Sequence, residues 1–314
     1  MSNSSSTEFC PESVLLTGSS GFIGSYVNRL LDYRCAIATR TFDSKSSNSR
    51  QLLMSNLIGS KTSSLLNEIQ VVIHLANLAH AASYTSSELQ SVNVDLTLTL
   101  AKKAAKLKVK RFIYVSSIVV NGINCSDSPF SAESQALPKS PYAKSKWDAE
   151  LGLKKIADET GLEVVIVRPT LVYGPNAPGN FGSLTRLVSK IPLLPFALTN
   201  NRRDFISVQN LADLLVTCAQ HPNASGHTFL ASDGETVSIK AFTNAIAKGL
   251  NKSLIQLPIP TSLMRFAGKL LGKSAMVEQL VGNLEVDSSN LKEVLDWVPP
   301  YTMEESMAFL KQEK

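Results

Sequence analysis

Three glycines at intervals of three, Gly18, Gly21 and Gly24, separate an apolar run at residues 13–17 from an amphipathic stretch that reaches Leu31. A short apolar run, a glycine turn and a 3.6-residue period read as strand, turn and helix in that order. Glycine lets the backbone come close to a ligand, and the amides at a helix start face negative charge, so this turn is a candidate cradle for a pyrophosphate. Three spaced glycines alone are as readily structural; the strand before them and the helix after them supply the context such a cradle needs.

The alternation continues. Apolar strands are expected at residues 35–39, 71–75, 111–115 and 163–167, with helices at 92–106 and 142–159 between them. Repeated strand-helix units imply an α/β fold of the Rossmann type, a doubly wound parallel sheet covered by helices on both faces. After Arg168-Pro169 the pattern changes: residues 173–204 are rich in Gly, Pro and Asn, a strand and helix return at 205–219, and prolines follow at 258, 260, 299 and 300. We therefore expect a dinucleotide-binding domain of residues 12–172 and about 205–228. A smaller interleaved C-terminal substrate domain of about 173–204 and 229–314 completes the chain, after a flexible tail at 1–11. The serine-rich residues 44–49 are expected to form a surface loop.

At 314 residues and 44% hydrophobic, the chain can fill a sizeable core. A net charge of +5 is too small and dispersed to argue for nucleic acid, and the densest basic stretch, residues 102–111, alternates with apolar residues as a solvated helix face does. The four cysteines are scattered without a CxxC pair, and the four histidines form no pattern for a metal site or hydrolytic triad. A reducing, cytoplasmic setting fits. The N-terminus carries no export signal, and no membrane span is expected; residues 263–271, interrupted by Arg265 and Lys269, read as a buried or partner-facing helix.

Tyr142 and Lys146 are four apart, hence on one face of the predicted helix. A neighbouring ammonium favours phenolate, which brings a phenol that titrates near 10 closer to acid/base work at neutral pH. Ser117 follows a strand that should end at the carboxyl edge of the sheet, where ligands bind in such folds.

The glycine spacing in Thr17-Gly-x-x-Gly-Phe-Ile-Gly24 resembles that of the short-chain dehydrogenases/reductases, and the chain is similar to their extended branch of nucleotide-sugar epimerases, dehydratases and reductases. The resemblance runs almost end to end. It continues through Val72-Ile-His-Leu-Ala76, Asn93-Val94, Tyr114-Val-Ser-Ser117, Pro141-Tyr-Ala-Lys-Ser-Lys146, Arg168-Pro-Thr-Leu-Val-Tyr-Gly-Pro175, Arg203-Asp-Phe-Ile206 and Trp297-Val-Pro299 in the family's order. It implies Tyr142 as proton carrier at the sugar oxygen, Lys146 as its tuner and ribose ligand, and Ser117 as the hydroxyl that orients that oxygen. It also implies cofactor contacts from Gly18, Gly21, Phe22, Ile23, Gly24, Leu75, Ala76 and Asn93, and diphosphate contacts from Asn180 and Arg203.

The family's dehydratases place Asp-Glu directly after the equivalent of Ser117; Ile118 and Val119 stand there and exchange no protons, which disfavours dehydration. Arg40, where NAD-binding members carry an acid, favours NADP over NAD by pairing with a 2′-phosphate. The implied reaction is then reduction at C4 of a UDP-4-keto-6-deoxy-N-acetylhexosamine for surface-polysaccharide synthesis. The alternative is a UDP-glucose or UDP-N-acetylglucosamine 4-epimerase. A non-catalytic dinucleotide-binding regulator is the remote third, against which the intact Ser117, Tyr142 and Lys146 argue. Ser207 and Asn210 depart from the usual His and Asp, and Asn77 from a common Gly. The resemblance further implies a homodimer paired through helices 92–106 and 142–159.

Overall fold

The structure is a computed structural model and describes residues 10, 13–40, 50–59, 67–79, 84–125 and 128–311. The expected tail at 1–11, apart from Cys10, and the serine-rich stretch 44–49 lie outside the described residues.

The first half of the chain builds β1 (Val14–Thr17), α1 (Phe22–Leu30), β2 (Ala36–Thr39), β3 (Gln51–Leu53), α2 (Met54–Ile58), β4 (Val71–His74), α3 (Ser86–Leu89), α4 (Thr97–Lys106), β5 (Arg111–Val115), α5 (Pro141–Thr160) and β6 (Glu163–Pro169). With β10 (Thr228–Ala231), seven strands form one parallel sheet in the order β10-β6-β5-β4-β1-β2-β3. The chain winds outward in both directions from β1, so the order reverses between β1 and β4, where ligands bind in open α/β sheets. Both faces are covered. Val14 and Leu16 pack into one core with Val27 of α1, while Leu15 packs into the opposite core with Leu100 of α4 and Leu153 of α5. This two-sided burial is why the strands are continuous apolar runs rather than alternating ones.

Two differences from the expected elements have physical causes. The short edge strand β3 has three residues, too few to show a period. The helix expected at 92–106 begins earlier, at Ser86 behind a Thr85/Glu88 capping box, and passes through a π-helical segment, Gln90–Leu96, before α4. That extra residue per turn falls around Asn93, whose side chain is drawn to the loop after β4.

The remainder comprises β7 (Leu171–Tyr173), α6 (Gly179–Lys190), β8 (Leu193–Leu194), β9 (Phe205–Ser207), α7 (Val208–Gln220), α8 (Ile239–Gly249), β11 (Ile255–Gln256), α9 (Thr261–Leu270), α10 (Ser274–Val281), α11 (Ser289–Leu295) and α12 (Met303–Ala308). Here β7 pairs with β9 and β8 with β11, both parallel. A third core gathers Tyr173, Phe181, Phe205 and Phe242, the last two rings stacked with centroids 3.7 Å apart, along with Met303 and Met307. β10 hydrogen-bonds to β6, and Leu291, Leu295 and Trp297 return to the sheet's own core.

Candidate active site

The glycine turn sits at the reversal of strand order. Gly18 has φ +73°, and a Cβ there would lie 2.8 Å from the Ala76 nitrogen; a Cβ on Gly24 would lie 2.1 Å from the Gly18 carbonyl oxygen. Neither position has room for any other residue, so the turn is a backbone surface. Gly21 is the N-cap of α1 and supplies no side-chain cap, and the first turn carries no acid. Phe22 packs against the third core and Ile23 against the sheet's core, so α1 begins at the seam between them. A cleft of about 390 Å³ opens there between Ser20, Gly21 and Phe22 on one side and Pro175, Asn176 and Pro178 on the other.

Leu75 and Ala76 form the crest opposite Gly18. Their amides donate to Thr17 Oγ1 at 3.2 and 3.1 Å, which leaves the hydroxyl proton of Thr17 to donate to His74 Nδ1 at 2.8 Å. The ring proton of His74 is then on Nε2, donated to Thr97 Oγ1 at 2.9 Å. Burial, with the Lys146 ammonium as a lesser contributor, pushes His74 down to about 3, so it is neutral at ordinary pH and works as a clasp between β1, β4 and α4. Asn93 is a second clasp. Its Oδ1 accepts from the Leu78 amide at 2.8 Å, and its Nδ2 donates to the Leu78 carbonyl at 3.3 Å and to Ser145 Oγ on α5 at 3.0 Å. Asn93 thus ties the loop after β4 to α5.

Ser140 caps α5 through the Ala143 amide at 3.1 Å and Pro141 occupies the first turn, which sets Tyr142 at the helix start and Lys146 one turn on. Lys146 is buried and donates from Nζ to the Val115 carbonyl at 2.9 Å, with the Tyr114 ring 4.8 Å and the Tyr142 ring 5.9 Å away. Burial lowers Lys146 to about 7, against a smaller upward pull from Glu150, and burial pushes Tyr142 up to about 12. The sequence argument expects the ammonium to draw the phenol toward neutrality; in this arrangement burial raises the phenol and lowers the lysine.

Ser117 follows two residues after Val115, at the same strand end. Its backbone is extended, and its hydroxyl accepts from the Val119 amide at 3.5 Å to cap the short 3₁₀ turn Ile118–Val120. Ile118 is buried against Leu230, Leu284 and Val286, so the place of a dehydratase acid is part of an apolar cluster.

Sequence reasoning missed the support behind this group. Arg168 at the end of β6 donates from Nε to Glu150 Oε1 at 3.0 Å, from Nη2 to Oε2 at 2.5 Å, and from Nη1 to Asn121 Oδ1 at 3.0 Å. Glu150 is one turn beyond Lys146, and Asn121 ends the turn that Ser117 begins. The legible signal was the 142/146/150 spacing; the partner across the sheet was not.

The remaining expected residues fall in three places. Arg40 is exposed just past the end of β2, the strand beside β1. Asn180 is exposed on the first turn of α6 and donates to Gln279 Oε1 of α10 at 3.3 Å. Arg203 is buried, donates to the Gly282 carbonyl at 2.8 Å, and is lowered to about 10 by that burial. Among the described residues no contact of Asn180 or Arg203 runs to Ser117, Tyr142 or Lys146. Ser207 caps α7 through the Asn210 amide, and Asn210 donates to Asp233 at 2.7 Å and to the Tyr301 carbonyl at 2.7 Å. Asp233 also accepts from the Tyr173 hydroxyl at 2.7 Å, so the two departures serve a buried network.

A parallel sheet reversing its order at a glycine cradle, with Ser, Tyr and Lys at the adjoining strand end, defines a dinucleotide-binding enzyme of the extended short-chain dehydrogenase/reductase type. Residues 14–232 match the NAD dependent epimerase/dehydratase family, and the chain belongs to it. A UDP-glucose 4-epimerase of Vibrio cholerae is 40% identical over 309 residues, spanning 94% of this chain and 93% of that protein. Among solved structures, the UDP-N-acetylglucosamine 4-epimerase of Bacillus cereus superposes with a TM-score of 0.75 at 20% identity, covering 95% of this chain and 97% of its own. The UDP-glucose 4-epimerase of Thermotoga maritima, solved with UDP-glucose, gives 0.73 at 21%, covering 95% and 96%. No helix among the described residues is long and apolar enough to cross a membrane.

Proposed function

We propose that the chain is a UDP-sugar 4-epimerase acting on UDP-glucose or UDP-N-acetylglucosamine. The observation that carries this reading is the 40% identity, over nearly the whole of both chains, to a protein that epimerises UDP-glucose. It displaces the keto-sugar reductase favoured on Arg40 alone.

The glycine turn fits a dinucleotide: Gly18 and Gly24 clear a backbone surface that a Cβ would fill, at the uncapped start of α1. Phe22, Ile23, Leu75 and Ala76 border that surface, and we read Lys146 as the ligand of a ribose hydroxyl. A bound nicotinamide dinucleotide supplies hydride acceptance from C4 and its return. Tyr142 takes the O4 proton and gives it back, and Ser117 hydrogen-bonds the same oxygen. Tyr142 must be phenolate to take that proton; burial opposes this, and the Lys146 cation beside its ring favours it. Because both stereochemical outcomes pass through one site, the 4-keto sugar would have to present either face of C4 to the nicotinamide while O4 stays in reach of Tyr142; apolar Ile118 and Val119 offer it no acid or base for elimination. Asn180 and Arg203 serve the diphosphate, and we read the third core as the body of the substrate half. Reduced, unbridged cysteines support a cytoplasmic setting.

Arg40 favours a second reading, NADPH-dependent reduction of a UDP-4-keto-6-deoxy sugar. One experiment separates them. Purified protein is incubated with UDP-glucose and UDP-N-acetylglucosamine without added nicotinamide, and products are followed by proton NMR; the C4 epimer is expected. No epimer, together with stoichiometric NADPH oxidation by the keto sugar, would replace the epimerase reading with the reductase.

A further inference from the structure

Helix α9 presents its apolar side outward. Leu263, Phe266 and Leu270 lie at i, i+3 and i+7 on one face and are 52%, 59% and 72% exposed, and Leu271 at the helix end is 72% exposed. The orientation is set from within. Gly268, on the opposite face, is buried so tightly that a Cβ would lie 2.6 Å from Val277 of α10, and Met264 packs into the third core. Rotating α9 to hide its leucines would drive larger side chains into that contact.

The stripe is flanked by positive charge. Lys269 and Lys273 are exposed, residues 261–273 contain no acid, and the neighbouring Glu278 is engaged by Arg265, with Nε 2.7 Å from Oε1. Four side chains of this size expose on the order of 500 Å², about the apolar share of a roughly 800 Å² half-interface, but a second copy would bring its own lysines to this rim with no acid among residues 261–273 to pair them. A membrane-surface helix needs less: an apolar stripe sunk a few ångströms below the headgroups and lysines at their level.

We propose that α9 is a docking helix for an anionic lipid surface, entered by Leu263, Phe266, Leu270 and Leu271 and held electrostatically by Lys269 and Lys273. The docking helix packs directly on α10, whose Gln279 is bonded to Asn180, so the attachment is one helix removed from the proposed diphosphate contact. Docking would hold that side of the enzyme near the membrane.

The test is flotation of the full chain with vesicles, without nucleotide sugar, so that its failure leaves the epimerase reading untouched and the reverse holds too. Binding to phosphatidylcholine–phosphatidylglycerol vesicles at low salt is expected, with loss on phosphatidylcholine alone. Phe266→Ser/Leu270→Ser should weaken binding roughly tenfold or more, and Lys269→Glu/Lys273→Glu roughly thirtyfold or more, each with epimerase turnover unchanged. No binding to the anionic vesicles, or binding indifferent to both double variants, would overturn the proposal. So would a dimer that the serine variant dissociates, since a second copy would then be what covers the stripe.

Discussion

At the scale of single residues, the proposed mechanism assigns the proton traffic of the site to Tyr142 and Lys146. Tyr142→Phe keeps the ring and its packing but removes the proton carrier, so turnover should fall by roughly a hundredfold or more while dinucleotide binding and the circular dichroism spectrum persist. Near-normal turnover in that variant would remove Tyr142 from the chemistry. His74 makes a separate prediction about stability. In the unfolded chain it takes a proton near 6.5, whereas folded His74 resists protonation down to about 3. Below 6.5 the unfolded form therefore binds a proton that the folded form lacks, and stability must fall as pH falls across that window. The contribution by about pH 5 is about 2 kcal/mol. Urea midpoints between neutral pH and pH 5 should fall more steeply for the wild type than for His74→Gln, even though the variant is weaker at neutral pH for want of the Thr17–His74–Thr97 chain; parallel slopes would contradict the assignment.

Among the elements, α5 carries the site and is anchored by a charge that no exposed helix would bury. Glu150 is fully buried and pairs with the Arg168 guanidinium, so removing its charge leaves Arg168 uncompensated between β6 and the turn after Ser117. Glu150→Gln should cost about 3 kcal/mol or more in urea unfolding. It should also move the pH profile of turnover, because Lys146 loses the carboxylate that raises it. A purely structural role would lower stability and leave that profile in place. The strand-helix order and the 142/146/150 spacing were open to reading along the chain. The π-helical segment was not, since it arises where the Asn93 side chain reaches Leu78 and Ser145, partners set by the docking of two other elements.

For the whole molecule, the expected pairing of copies through α4 and α5 is a proposal with a direct test. α5 leaves Leu151 47% exposed, and the next residue, Gly152, lies against the half-buried Leu98 of α4; two such helix pairs stacked about a twofold axis would cover this face. This face is separate from the stripe on α9. Sedimentation at micromolar concentration should show a dimer that Leu151→Glu converts to monomer; a monomeric wild type would end the proposal.

The parallel sheet, the glycine turn at the start of α1 and the shared helical face of Tyr142 and Lys146 could all be read along the chain, because each depends on spacing within a few residues: a period, a turn or one helical face. Other features became visible only once distant segments met. The Arg168 bond to Glu150 and Asn121 joins residues 18 and 47 apart, and the Asp233 network explains Ser207 and Asn210 where the motif alone registered a departure. The upward push on Tyr142 and the downward push on Lys146 were not legible from their spacing, since burial is a property of everything packed around a group. Residues 263–271 show the same limit: their apolar period was plain, but which way that face points was decided by the contact of Gly268 with Val277.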